Sequence, residues 1–207
     1  VYFVPKDNGR FTVNKKFDIV AECLKVNTEK EYDGEFKPLM KRFRCIGVDP
    51  FDHAVISDSV EGSKASAYLF FKSTTSGSLS EVFVVEYHRR PESLEQFHED
   101  MAKLAFMSGA EVIIENQKQL LISHLNKTGF SKFLIHYKNT PGIHANGTTH
   151  RTLADITEIY IDNYISDVPF INLLEQWSKF NLRKTTKFDA AMAAGWTLVA
   201  AYPERLA

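Results

Sequence analysis

Apolar and polar positions alternate in blocks along this chain, and the spacing within each block predicts a strand or a helix. Three short apolar runs are typical of buried strands: Arg42–Val48, Lys64–Ser73 and Glu81–Tyr87. A polar loop at 52–63 and a turn-rich connector at 74–80 separate them. Because no helix intervenes, the three strands favour an antiparallel meander.

From Pro91 onward the apolar positions recur every three or four residues, which predicts helices that alternate with strands. The predicted elements are a helix from Pro91 to about Met107, a strand at Ala110–Glu115, a helix at Asn116–Lys127 and a strand at Lys132–Tyr137. A loop at 139–149 precedes helices at Thr152–Tyr164, Pro169–Phe180 and Lys187–Ala201. Right-handed crossovers make the last two strands parallel. We therefore predict an α/β fold, with a mixed five-stranded sheet (three antiparallel strands, then two parallel) flanked by helices.

Residues 1–40 have a weaker pattern, because Lys, Asp, Asn and Glu interrupt their apolar positions. We interpret them as an arm from a preceding region that docks on a domain formed by residues 41–207. The chain starts with Val1 and carries no signal peptide, which indicates a fragment of a longer protein or a processed one. No apolar run reaches the roughly 20 residues that span a membrane.

The net charge of −1 argues against a cationic nucleic-acid binder, although basic residues cluster locally. The clusters are Lys41-Arg42-Phe43-Arg44, His88-Arg89-Arg90 and Arg183-Lys184 with Lys187. They are either solvated surface or groups that follow a phosphate backbone. Cys23 and Cys45 lack metal-ligand spacing, and a disulfide scaffold is not expected at this size, so a reducing compartment is favoured.

Three acidic residues stand at the ends of apolar elements. Asp49 ends the first predicted strand, Glu115 ends the fourth, and Asp189 lies near the start of the Ala-rich final helix. A carboxylate at the tip of a buried strand is costly unless something pairs with it. Open α/β sheets place their sites at the carboxyl ends of strands, where these three residues can meet. Such a cluster can bind two Mg²⁺ or Mn²⁺ ions about 3.5–4 Å apart.

Each acid also has a purely structural interpretation. Asp49 can be a turn residue before Pro50. Glu115 and Asp189 can be acids favoured by the dipole at a helix N-terminus. Both tryptophans, Trp177 and Trp196, fall on predicted helices and are assigned to core packing.

Five motifs in order resemble one known family: Ile46-Gly47-Val48-Asp49-Pro50, Val85–Pro91, Val112-Ile113-Ile114-Glu115-Asn116, Gly142-Ile143-His144 with Thr148, Thr149 and Arg151, and Lys187–Ala193. From about Arg42 to its end, the chain resembles the nuclease domain of the large terminase subunit of tailed bacteriophages, which has an RNase H-like fold. The similarity is greatest to terminases of Bacteroides-type and crAss-like phages. One departure is Phe188, where many relatives have a polar residue before the final Asp.

The resemblance implies that Asp49, Glu115 and Asp189 are metal-binding catalytic acids, with an auxiliary acid in the loop after the first strand, either Asp52 or Asp58. Candidate DNA-binding residues are Arg89, Arg90, Thr148, Thr149, Arg151, Lys184 and Lys187. For Thr149 or Thr152, a helix cap is the alternative to phosphate contact.

The implied function is a Mg²⁺- or Mn²⁺-dependent endonuclease that cuts double-stranded DNA with little sequence specificity during phage genome packaging, by a two-metal mechanism. Its partners would be an ATPase motor domain of the same protein, the portal and the small terminase subunit, in the cytoplasm of the infected host cell. No phosphate-binding Gly-x-x-x-x-Gly-Lys-Ser/Thr loop occurs, so the chain itself should not hydrolyse ATP. Two alternatives remain: another RNase H-like nuclease of the resolvase or integrase type, and a non-catalytic module that docks on a portal or motor.

Overall fold

A mixed sheet forms the centre of this protein. A computed structural model describes residues 4, 6–19, 21, 29–30, 35–38, 41, 43–50, 64–72 and 81–206. In chain order the strands are β1 (Thr12–Val13), β2 (Glu29–Lys30), β3 (Phe36–Lys37), β4 (Arg44–Asp49), β5 (Ala65–Phe71), β6 (Val82–Arg89), β7 (Glu111–Ile114), β8 (His136–Tyr137) and β9 (Thr140–Pro141).

The helices are α1 (Leu94–Ser108), α2 (Gln119–Lys127), α3 (Gly147–Tyr164), α4 (Ile171–Trp177) and α5 (Asp189–Ala201). Short 3₁₀ segments lie at Ser131–Phe133, Ile165–Asp167, Leu182–Lys187 and Pro203–Leu206. Within the described ranges, every helix is too short or too polar to cross a bilayer.

The central sheet has the order β1-β6-β5-β4-β7. All neighbouring strands are antiparallel except β4 and β7, which are parallel. The antiparallel meander β4-β5-β6 is therefore confirmed, as is a mixed five-stranded sheet in an α/β protein. The parallel pair consists of the first strand of the meander and the strand that follows the first long helix.

The predicted fifth strand at Lys132–Tyr137 is wrong. Ser131–Phe133 forms a 3₁₀ turn, and Leu134 makes an isolated parallel bridge to Val112. The chain then reverses through Lys138 and Asn139, whose φ angles are 50° and 64°, so β8 pairs with β9 in a separate hairpin. The fifth strand of the sheet is instead β1, which belongs to the predicted N-terminal arm and pairs with β6.

Capping side chains determine where the helices begin. Ser93 caps α1 by accepting a hydrogen bond from the backbone of Gln96 at 3.1 Å, so the helix starts after Pro91 rather than at it. Asn146 caps α3 through a reciprocal capping box with Thr149. Consequently α3 begins at Gly147, within the segment predicted as a loop, and residues 148–151 lie in its first turns.

Two apolar layers cover the sheet. On one face, α1 and α2 pack over β-strand residues such as Leu69 and Val84. On the other face, α3, α4 and α5 pack over residues such as Cys45 and Tyr68. Cys45 is buried, and burial raises the pKa of its thiol to about 12, which makes this cysteine unreactive at neutral pH.

Candidate active site

The three predicted acids lie around one cavity at the carboxyl end of the parallel strand pair. Asp49 is the last residue of β4, Glu115 follows β7, and Asp189 is the first residue of α5. The cavity has a volume of about 310 Å³. Its other lining residues are Pro50, Gln117, Lys118, Ala145, His150, Thr185, Thr186 and Met192.

Strand register explains why Asp49 and Glu115 meet. Val48 lies opposite Ile114 in the parallel ladder, so the next residue on each strand projects from the same end of the sheet. In the antiparallel ladder Asp49 lies opposite Ser66, and Ser66 lies opposite His88. Cross-strand partners share a face, so Asp49, Ser66 and His88 form a row of polar residues across the sheet.

Asp189 lies at the same edge of the sheet, at the start of α5. The first backbone N–H groups of this helix are capped by a different side chain, Gln176. The side-chain Oε1 of Gln176 accepts hydrogen bonds from the backbone N–H groups of Ala190 and Ala191, at 2.8 and 3.1 Å. Phe188, at the N-cap position, has no capping side-chain bond. The Gln176 side chain therefore satisfies two of the free N–H groups at the start of α5. Asp189 lies in the first turn of this helix, where the helix dipole also favours an acid.

The carboxylates carry an unfavourable concentration of charge. Burial raises the pKa of Asp49 well above its ordinary value, and the negative charges of Asp189 and Glu115 raise it further, against the opposing effect of Lys118. Burial also raises the pKa of Asp189, although the backbone N–H of Lys64 donates to its Oδ2 at 3.1 Å. A bound cation would offset this cost, as would protonation.

The donor chemistry fits Mg²⁺ or Mn²⁺, because carboxylate oxygens are the hard ligands that these ions prefer. The distances between the carboxylates are too long for direct ligation of one ion by all three. Among the described residues, no three Asp, Glu, His or Cys side chains lie close enough to hold an ion together. Ligation therefore requires the carboxylates to move closer. Like-charge repulsion opposes that movement until a cation offsets it.

The sequence analysis did not assign three further residues to this site: Lys118 and His150, which line the cavity, and Trp196, which contacts Glu115. Lys118 attracts both Asp49 and Asp189. The indole N–H of Trp196 donates to Glu115 Oε1 at 3.2 Å, and the ring of His150 lies 5.7 Å from that of Trp196. The sequence does contain one indication that Trp196 lies near the site. Trp196 follows Asp189 by seven residues, about two helical turns, so both residues lie on the same face of α5.

The two candidate auxiliary acids, Asp52 and Asp58, lie outside the described residues. Of the candidate DNA-binding residues, Arg90, Thr148, Arg151, Lys184 and Lys187 are exposed, and Arg89 is partly buried. Lys184 and Lys187 flank Thr185 and Thr186, which line the cavity.

Thr149 is buried, and its hydroxyl belongs to the cap of α3. It donates to His144 O and accepts from Asn146 N, both at 2.9 Å. The helix-cap alternative for Thr149 is therefore present in the structure. Within residues 148–151, His150 is the residue that lines the cavity.

No protein-family model matches this chain, and no curated protein matches it significantly. Its function has to be argued from the residues around the cavity.

Proposed function

We propose that this chain is a Mg²⁺- or Mn²⁺-dependent endonuclease domain with an RNase H-like fold, of the type found in the large terminase subunit. One observation carries the proposal: Asp49, Glu115 and Asp189, from three separate parts of the chain, line a single cavity. Burial and, after it, the negative charges of Asp189 and Glu115 raise the pKa of Asp49, and perturbed carboxylates of this kind are typical of functional sites.

The sheet supports the proposed fold assignment. Three consecutive antiparallel strands are followed, after α1, by a strand that is parallel to the first of them. The carboxyl ends of that parallel pair carry Asp49 and Glu115, as the family resemblance implies for its first two catalytic acids. The third acid comes from the last long helix, which packs directly over β4 and β5.

In the proposed site, Asp49, Glu115 and Asp189 hold the ions. When bound, the ions supply an activated water and charge stabilisation for hydrolysis of a phosphodiester bond. Lys118 lines the same cavity and adds a positive charge close to the incoming phosphate. Exposed Lys184, Lys187 and Arg151 would follow the backbone on either side.

The substrate is double-stranded DNA, cut with little sequence preference, during genome packaging in the cytoplasm of an infected bacterium. With a net charge of −1, the chain by itself would bind DNA weakly. An ATPase motor domain of the same protein, the portal and the small terminase subunit would supply the remaining affinity and the regulation of cutting.

Plasmid cleavage tests the proposal. The chain is incubated with supercoiled DNA in Mn²⁺, Mg²⁺, Ca²⁺ or EDTA, beside Asp49→Asn and the control Asp155→Asn, an exposed acid on α3. Nicking and linearisation by the parent and by Asp155→Asn in Mn²⁺ or Mg²⁺, absent in EDTA and in Asp49→Asn, are the expected results.

Two other results would point elsewhere. Preferential cutting of branched DNA would favour the resolvase type. A folded chain that neither cuts DNA nor binds Mn²⁺ in calorimetry would be a docking module, and the nuclease proposal would be wrong.

A further inference from the structure

Trp196 connects a catalytic carboxylate to the apolar core. Its side chain is fully buried on α5, and its indole Nε1 donates to Glu115 Oε1 at 3.2 Å. An indole has one N–H donor and no acceptor, so in this contact Glu115 Oε1 must be the acceptor. The other oxygen of Glu115 receives no hydrogen bond from Trp196.

The indole is fixed from a second side. The ring of His150 packs against it at 5.7 Å between centroids, with an angle of 45°. His150 itself belongs to the first turn of α3, which the Asn146 capping box holds in place. The His150 Nε2 atom is buried without a hydrogen-bond partner among the described residues, and the ring contact with Trp196 lies beside it.

The second tryptophan provides a contrast within the same protein. Trp177 is also buried in the helical layer and packs against Phe83 and Tyr160. Its Nε1 has no hydrogen-bond partner in the part of the chain that the structure describes. Burial of a tryptophan in this layer therefore does not by itself produce a bonded N–H, which makes the bond from Trp196 to Glu115 a specific feature.

We propose that Trp196, held by His150, is a positioning residue for Glu115: it fixes one carboxylate oxygen and leaves the other directed to a divalent cation. This inference rests on the proposed function, since it requires Glu115 to be a metal ligand. Groups that orient metal ligands typically change metal affinity or activity by about 10- to 100-fold when removed.

The first test uses the unaltered protein and Mg²⁺ alone. Two tryptophans give two indole N–H signals in a ¹H–¹⁵N NMR spectrum. The Trp196 signal should shift as Mg²⁺ is added, whereas that of Trp177 should stay in place. A Glu115→Gln variant should move the Trp196 signal before Mg²⁺ is added and abolish the titration. If calorimetry detects Mg²⁺ binding while the Trp196 signal does not move, the inference is wrong.

The second test compares Trp196→Phe with Trp177→Phe by calorimetric titration with Mn²⁺. Both variants keep an aromatic ring, but only the first removes a donor to Glu115. We expect Trp196→Phe to weaken Mn²⁺ binding by about 10-fold and Trp177→Phe to leave it close to the parent value. In a Glu115→Ala background, Trp196→Phe should cause no further loss, because the partner of the indole is already absent.

The outcomes separate the two proposals. A parent chain that binds no Mn²⁺ overturns the proposed function and this inference together. A parent chain that binds Mn²⁺, with equal affinities in the parent and Trp196→Phe, overturns this inference alone. Equal losses of Mn²⁺ affinity in Trp196→Phe and Trp177→Phe would also overturn this inference, because equal losses would reflect altered core packing.

Discussion

Gly47 lies directly against Thr197, and this contact brings α5 close to the sheet. The backbone N–H of Gly47 donates to Thr197 Oγ1 at 3.0 Å. A Cβ atom at Gly47 would collide with the backbone of Ala193 and Thr197. Because β4 ends in Asp49 two residues later, and α5 begins with Asp189, the close approach of these two elements also brings two of the catalytic candidates to one cavity.

Substitution of Gly47 by Ala should therefore destabilise the protein. The new methyl group has no space, and overpacking of this kind typically costs about 1–3 kcal/mol in the free energy of unfolding. Urea unfolding followed by circular dichroism measures it. Gly147→Ala is the matched control, since a Cβ there meets no atom within 4 Å and the residue begins a helix. A loss as large in Gly147→Ala would contradict the steric explanation.

The charge of Asp49 should lower stability at neutral pH in the presence of EDTA. Its pKa is raised in the folded state, so the folded protein keeps its proton over a range in which the unfolded chain has lost it. The free energy of unfolding therefore decreases as pH rises from about 4 through the folded pKa. Asp49→Asn lacks this term, so its stability should increasingly exceed that of the parent as pH rises.

Chemical unfolding of both chains at several pH values in EDTA provides the measurement. Saturating Mg²⁺ should reduce the difference, because a bound cation stabilises the charged form. The free energy of unfolding of the control Asp155→Asn should show the same dependence on pH as that of the parent. An advantage of Asp49→Asn that is constant with pH would exclude titration of Asp49 as its cause.

His88 should produce a pH dependence of opposite sign. Burial and, secondarily, Lys64 lower its pKa to about 4, and it forms a 2.6 Å hydrogen bond with Ser66 Oγ. The unfolded chain gains a proton as pH falls below about 6.5, while the folded protein does not until about pH 4. Stability is thus lost between pH 6.5 and about 4, by on the order of 1–2 kcal/mol for this partly exposed group.

Replacement of His88 by Gln should flatten that part of the stability profile. His98 will retain a similar contribution, since burial and His124 lower its pKa to about 4. Stability between pH 4 and 7, measured by thermal unfolding, checks the expectation. His136→Gln, at an exposed histidine, is the control. If both variants keep the slope of the parent, His88 does not titrate as described.

Arg10 should contribute measurably to stability through Asp100. Its guanidinium makes two hydrogen bonds to this buried carboxylate, at 2.6 and 2.7 Å, and so ties the N-terminal arm to α1. Arg10→Met leaves the carboxylate unpaired. Loss of a fully buried partner costs about 3–5 kcal/mol, and we expect about 2 kcal/mol here because Arg10 is 42% exposed.

The exposed ion pair between Lys16 and Asp167 is the natural comparison for Arg10. Lys16→Met should change the free energy of unfolding by less than about 1 kcal/mol. Equilibrium unfolding in urea distinguishes the two variants. Similar losses in both would mean that burial of Asp100 does not strengthen its pairing.

Lys184 and Lys187 should contribute to DNA affinity without affecting the chemical step. Both are exposed beside the cavity. The double variant Lys184→Gln/Lys187→Gln should raise KM for plasmid DNA and leave kcat unchanged. If both lysines contact phosphates, the slope of log affinity against log salt should fall by about 2. The pair Lys15→Gln/Lys103→Gln, distant from the cavity in sequence, controls for net charge, and an equal slope change there would exclude a local contact.

Local chemistry made much of this protein predictable. Apolar runs and three- to four-residue periodicity are properties of neighbouring residues, and they located β4, β5, β6 and the body of α1 to within a few residues. Asp49, Glu115 and Asp189 stood out for the same reason: each is a charged residue at the end of an apolar element. The pairing of β4 with β7, which brings Asp49 and Glu115 together, is a property of the assembled sheet.

Contacts between distant segments decided the rest. The short segment Thr12–Val13 is a strand because the edge of β6 offers it partners, whereas Lys132–Tyr137 stops short as the chain turns back at Lys138. Trp196 looked like a core residue until the fold placed Glu115 within reach of its indole. A sequence pattern specifies which side chains an element buries, but the atoms that meet across the cavity depend on strand pairing and helix approach, which form only when the whole chain packs.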